Sequence, residues 1–148
     1  MKLDRDKAGK AFRNYVAQYN AQDEKVKLKI DHTYRVAALC EQIAQSISLS
    51  SDDVDIAWFS GLLHDVGRFE QLRRFGTFND AQSIDHAMYG AEILFDQEKI
   101  WDYIDRDAIT KDELLFLRKV ISCHSAYRVP QDYTDRDKQF ADILRDAD

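Results

Sequence analysis

The chain has 148 residues, the size of one domain with a buried core. A hydrophobic share of 45%, a charged share of 32% and a net charge of −6 exclude a disordered or membrane-embedded chain, and argue against sequence-independent binding to nucleic acid or anionic lipid. No apolar run is long enough to span a bilayer, and the opening MKLDRDKAGKAF carries no signal-peptide stretch. Cys40 and Cys123 form no CxxC pair, which leaves neither a disulfide scaffold nor a cysteine zinc site and points to a reduced cytoplasm.

One proline and five glycines disfavour a many-turned β fold, and helical spacing recurs along the chain. Ala8, Phe12, Tyr15, Val16 and Tyr19 follow three- and four-residue steps. A second helix is expected from about Glu24 to Ser48, with Val36, Leu39, Cys40, Ile43 and Ile47 on one face. Ser51 with Asp52 and Asp53 suits the start of a third helix, because acids favour the positive end of the helix dipole. That helix, Val54 to about His64, is apolar almost all round and is expected to be the central one, stopped by Gly67. From Gly67 to Asn79, GRFEQLRRFGTFN shows no sustained period and reads as a long, functional loop.

Helical spacing returns from about Ile84 to Phe95, with a short turn at Ile100 to Ile104. Thr110 to Glu113 is a capping-box pattern opening a helix that runs to about His124. Pro130 falls in the next loop, and Thr134 or Asp135 can cap a last helix carrying Phe140, Ile143, Leu144 and Ala147. The expectation is a single all-α domain, a helical bundle over residues 1–148. The apolar stripe of the last helix is still running at Ala147 with no Gly, Asn or Pro to close it, so the natural chain is expected to continue.

The four histidines all fall on inward faces. His32 shares its face with Val36, Leu39, Cys40 and Ile43, and His64 closes the apolar third helix. His86 aligns with Tyr89, Gly90, Ile93 and Leu94, and His124 extends the stripe of Leu117, Val120 and Ile121. One inward histidine is ordinarily a core residue bonded to a carbonyl. Four need four buried partners, and a shared metal centre satisfies them together. Asp65 in the apolar third helix and Asp148 on the face of Phe140, Leu144 and Ala147 are also costly to bury unless paired or bound to a metal. Two imidazole-rich sites joined by a carboxylate suit iron, manganese, zinc or nickel rather than calcium or lone magnesium.

The ordered set H…HD…H…H…D, carried by DHTYRVA, GLLHDVGRF, DHAMYGAEIL, VISCHS and ILRDAD, resembles the HD-domain metal-dependent phosphohydrolase superfamily over about residues 28 to 148. The stretch HDVGRFEQLRRFGTFND is similar to a group of small bacterial HD proteins. The resemblance implies that His32, His64, Asp65 and Asp148 bind one divalent transition metal, with a second at His86 and His124 and Asp65 bridging. Asp146 competes for the last ligand role; Asp148 is preferred as the final residue of the family's "AD" pair. His64 and Asp65 project about 100° apart on a regular helix, so both reach one ion only at a helix end.

Metal coordination lowers the pKa of bound water to about 7, and two metals hold the resulting hydroxide in line with a phosphoryl group. Developing negative charge then needs cations. Arg68, directly after the dyad, is the first candidate, and Arg73, Arg74 and Arg128 are weaker ones; the local charge of the Gly67–Asn79 segment suits a phosphate-bearing, nucleotide-like substrate. Phe69, Phe75 and Phe78 suit either base stacking or anchoring of the loop to the core. Glu70, Asp80 and Asp85 are candidate proton donors or partners orienting an imidazole, and Cys123 reads as a buried thiol. No Walker loop, GxGxxG, HExxH or GxSxG occurs. The expected activity is hydrolysis of a nucleotide-like phosphate ester. An HD-type di-iron oxygenase and a non-catalytic nucleotide sensor are the alternatives.

Overall fold

A computed structural model describes all 148 residues, and it contains α-helices and short helical turns with no strand. Helix α1 (Arg5–Val16) starts where Asp4 accepts from the Lys7 amide, and α2 (Glu24–Ser46) where Asp23 caps the Lys25 amide. Helix α3 (Ser51–Leu63) is capped by Ser50, one residue earlier than expected, through the Asp53 amide. Residues 54, 56, 57 and 59 through 63 of α3 are all buried, so the third helix is central as its composition implies. Gly61 lets α2 cross it closely: a Cβ there would fall 2.6 Å from the Ala37 Cα.

The segment expected as a loop is helical over its first part. Helix α4 (Val66–Phe75) buries Val66, Gly67, Phe69 and Gln71, and ends at Gly76, whose φ of 68° is the left-handed closing geometry that glycine favours. Gly67 therefore does not stop α3. It lies inside α4, where a Cβ would come within 2.4 Å of the His86 carbonyl oxygen and 2.7 Å of the Gly90 nitrogen. The lost period has a physical reason: Gln71 is fully buried on the inner face, and three arginines dilute the pattern around Phe69 and Leu72.

A non-helical stretch with a 3₁₀ turn at Asp80–Gln82 leads to α5 (His86–Ala91), which passes into a π-helical turn at Glu92–Asp96. Helix α6 (Ile100–Tyr103) is the expected short turn. Helix α7 (Lys111–Ser122) opens with the complete Thr110–Glu113 capping box, and α8 (Asp135–Ala147) with a second box formed by Thr134 and Asp137. On α2 the buried set is Val26, Thr33, Val36, Ala37, Cys40 and Ala44, whereas Leu39 and Ile47, expected inside, are exposed. The small residues Ala37 and Ala44 face α3 because close helix approach leaves no room for larger ones.

The core has two apolar clusters. One gathers Phe12, Phe59, Leu62, Phe69 and Ile121 around α1, α3 and α4; the other gathers Val36, Cys40, Val120, Phe140 and Leu144 around α2, α7 and α8. Both cysteines are buried and free. No helix is long and apolar enough to cross a membrane.

Candidate metal centre

The polar interior is built by helix ends. Helix α3 stops at Leu63; His64 keeps helical dihedrals as its cap, and Asp65 leaves them at φ −111°, ψ 18° before α4 begins. This break turns two adjacent side chains, which a continuous helix would splay apart, toward one point, with His64 Nε2 3.3 Å from Asp65 Oδ2. His32 comes from the middle of α2, His86 from the first residue of α5, His124 from just past α7, and Asp148 from just past α8.

The six side chains form two triads: His32, His64 and Asp148 in one, Asp65, His86 and His124 in the other, each with donor atoms close enough to share an ion. Asp65 joins them. Its Oδ2 lies 3.4 Å from His32 Nε2 and 3.3 Å from His64 Nε2, while its Oδ1 lies 3.5 Å from His86 Nε2 and 3.4 Å from His124 Nε2. Asp148, partly exposed at 28% rather than buried as expected, places Oδ1 2.9 Å from His32 and 3.5 Å from His64, whereas Asp146 bonds to none of them. Donors sharing one ion at about 2.1 Å are spaced roughly 3.0–3.4 Å apart, so these separations suit the edges of a coordination shell.

The imidazole tautomers fit the same use. His64 Nδ1 is 2.6 Å from the Gly61 carbonyl oxygen and His124 Nδ1 is 2.8 Å from that of Ile121. A carbonyl only accepts, so each Nδ1 carries the hydrogen, and each ring, when neutral, turns an Nε2 lone pair inward. His86 Nδ1 donates to Asp80 Oδ2 at 2.6 Å in the same sense. His86 and His124 thus bring their Nε2 atoms to 2.9 Å, where two lone pairs repel unless a positive charge lies between them.

Charge follows the geometry. Burial opposes a charged His64, but Asp65 and Asp148 outweigh it and raise its pKa to about 10. Burial likewise disfavours the Asp65 anion, yet His64, His124 and Lys29 hold its pKa well below the ordinary carboxylate value. Asp148 is lowered too, by His32 and His64 acting against burial. His86 is shifted down, by burial and then by His124, against the pull of Asp80. Two ionised carboxylates enclosed by imidazoles demand positive charge, which a proton on His64 supplies in part and divalent cations would supply in full.

Arg68 donates through Nη1 to Gln71 Oε1, the Phe78 carbonyl and Asp80 Oδ1, and so reaches the centre only through Asp80. Its Nε is buried without a partner and its Nη2 makes no hydrogen bond. Asp80 binds Arg68, Gln71 and both the ring and the amide of His86, which makes it the partner orienting an imidazole. Asp85 instead caps α5, and Glu70 pairs with Arg73 and accepts from Tyr19.

Arg73 and Arg74 face a separate cavity of about 570 Å³ lined with Tyr15, Tyr19 and Tyr89, which none of the six cluster residues touches. The Arg128 guanidinium lies over the exposed ring of Tyr127. Phe69 packs in the core, Phe75 is half exposed, and the Phe78 ring lies near both the Arg68 and the Lys29 cations. Two participants escaped the sequence reading. Gln71 is a buried hydrogen-bonding hub for Asp80, Ser83 and Ile84. Lys29 places Nζ 3.1 Å from Asp65 Oδ2; its position three residues before His32, on the same helix face, was the available signal.

A family model for the HD domain matches residues 30–148. The chain belongs to the HD-domain family. Members of this superfamily are generally metal-dependent phosphohydrolases. Comparison with curated proteins and with solved structures gave no match. The six residues of this chain's H…HD…H…H…D order are those of the two joined triads.

Proposed function

We propose that this HD protein is a metal-dependent phosphohydrolase cleaving the phosphate ester of a nucleotide or similar small molecule. His32, His64, Asp65 and Asp148 would hold one divalent transition-metal ion, and Asp65, His86 and His124 a second. The observation that carries this reading is the Asp65 carboxylate, with one oxygen against each triad. Bound ions supply Lewis acidity and a water acidic enough to act as nucleophile near neutral pH.

The chain's own groups prepare that chemistry. The Gly61 and Ile121 carbonyls and the Asp80 carboxylate fix three rings in the tautomer that offers Nε2 inward. Arg68 anchors Asp80, and its unbonded Nη2 offers charge to phosphoryl oxygens. Imidazole and carboxylate donors suit iron, manganese, zinc or nickel.

The test is phosphate release from a panel of nucleoside monophosphates and p-nitrophenyl phosphate, with and without oxygen, by protein loaded with manganese or nickel. Metal-dependent, oxygen-independent release that disappears in Asp65→Ala is the expected result. Turnover that requires oxygen and frees no phosphate would replace this reading with the oxygenase alternative.

A further inference from the structure

Lys29 is the only lysine or arginine bonded to any of the six clustered side chains. Its Nζ lies 3.1 Å from Asp65 Oδ2, the oxygen shared with His32 and His64, and its side chain is 17% exposed, so it lines the centre and still meets solvent. No second carboxylate pairs with it, and one face is bounded by the Phe78 ring, 5.5 Å away. Arg68 lies against the same ring at 5.6 Å.

Lys29 pairs with the same Asp65 oxygen that a cation held by His32 and His64 would use. Where Asp65 holds cations, a neighbouring ammonium opposes the very charge the carboxylate serves. An anion entering beside them would answer both positive charges. A lysine ammonium has three donors, and Asp65 accepts one of them. We propose that Lys29 is a second substrate-contacting cation of this centre, its ammonium binding the phosphoryl oxygens beside Asp65 while Arg68 approaches from the Asp80 side. This rests on the phosphohydrolase reading and extends it to a residue that the H…HD…H…H…D pattern does not contain.

The experiment titrates inorganic phosphate into the manganese-loaded full chain by calorimetry, for the unaltered protein, Lys29→Met and Lys29→Arg, with metal content measured on each sample. Lys29→Met should keep the unaltered metal content and bind phosphate about tenfold or more weakly, the usual consequence of deleting a charged hydrogen bond, and Lys29→Arg should restore most of the affinity. Equal phosphate affinity in Lys29→Met overturns the proposal and leaves the phosphohydrolase reading intact. Loss of metal together with phosphate in Lys29→Met also overturns it, because Lys29 would then serve to hold Asp65. Absence of metal-dependent phosphate binding in the unaltered protein overturns both.

Discussion

Replacing Gly67 by alanine tests how tightly the α4–α5 crossing sets the second triad. The added Cβ would lie 2.4 Å from the His86 carbonyl oxygen, and real Cβ contacts essentially never fall under 3.0 Å, so the backbones must part by about 0.6 Å or more. Both contacting groups are backbone, which leaves no flexible side chain to yield. The shift falls on the residue whose Nε2 faces His124 at 2.9 Å, and ligand positions tolerate only about 0.2 Å of error before an ion is held less well.

The same change at Gly9 is the control, because a Cβ there meets only the Arg13 guanidinium, at 3.4 Å. Urea unfolding of metal-free protein should show Gly9→Ala more stable by about 0.5–1 kcal/mol, from helix propensity alone. Gly67→Ala should be less stable by about 1–3 kcal/mol, the usual cost of overpacking. Calorimetric titration with manganese should show weakened binding in Gly67→Ala alone. Equal stability and equal metal affinity in the two variants would refute the reasoning.

Removing the Asp80 carboxylate with Asp80→Ala frees the His86 ring and releases Arg68; metal affinity should fall about 10–100-fold with helix content unchanged by circular dichroism. Phe12→Ala, which empties a fully buried ring site between α1 and the rest of the core, should cost about 3–5 kcal/mol in the same urea assay without touching metal binding in the folded protein. Burial works against the Asp137 anion, but the Thr134 amide and Lys119 outweigh it and lower its pKa. Because the folded value lies below the unfolded one, its stabilisation is full above the ordinary carboxylate pKa and is lost as pH falls through the folded value. Asp137→Asn should flatten that acid limb of the stability curve.

The order of helices and the inward direction of the histidines were legible because burial leaves a periodic trace: His86 with Tyr89, Gly90, Ile93 and Leu94, His124 with Leu117, Val120 and Ile121. The capping box at Thr110 was equally readable, and Thr134 was one of two candidate caps for α8, where its box with Asp137 was not anticipated. Helix α4 was not, since its inner face carries Gln71, whose burial depends on Asp80, Ser83 and the Ile84 carbonyl arriving from the next segment. Gly67 was misread for a related reason. Local rules treat a glycine after an apolar helix as a terminator, whereas here it meets the His86 and Gly90 backbones in space. Leu39 and Ile47 show the opposite failure, apolar residues at helical spacing that remain on the surface while alanines make the contact. Arg73 and Arg74 are basic residues near the motif in sequence, and the direction of α4 carries them to a separate cavity, while Arg128 lies over the Tyr127 ring and bonds to none of the six side chains.

The central claim is that six side chains from α2, the α3–α4 junction, α5 and the ends of α7 and α8 converge to hold cations on either side of Asp65. Its most direct test is an anomalous difference map from crystals of the protein loaded with manganese. The account predicts two peaks roughly 3.5–4 Å apart, one against His32, His64 and Asp148 and one against His86 and His124, with the Asp65 carboxylate between them. A fully loaded crystal with no peak there, or with density only at surface carboxylates, would contradict it.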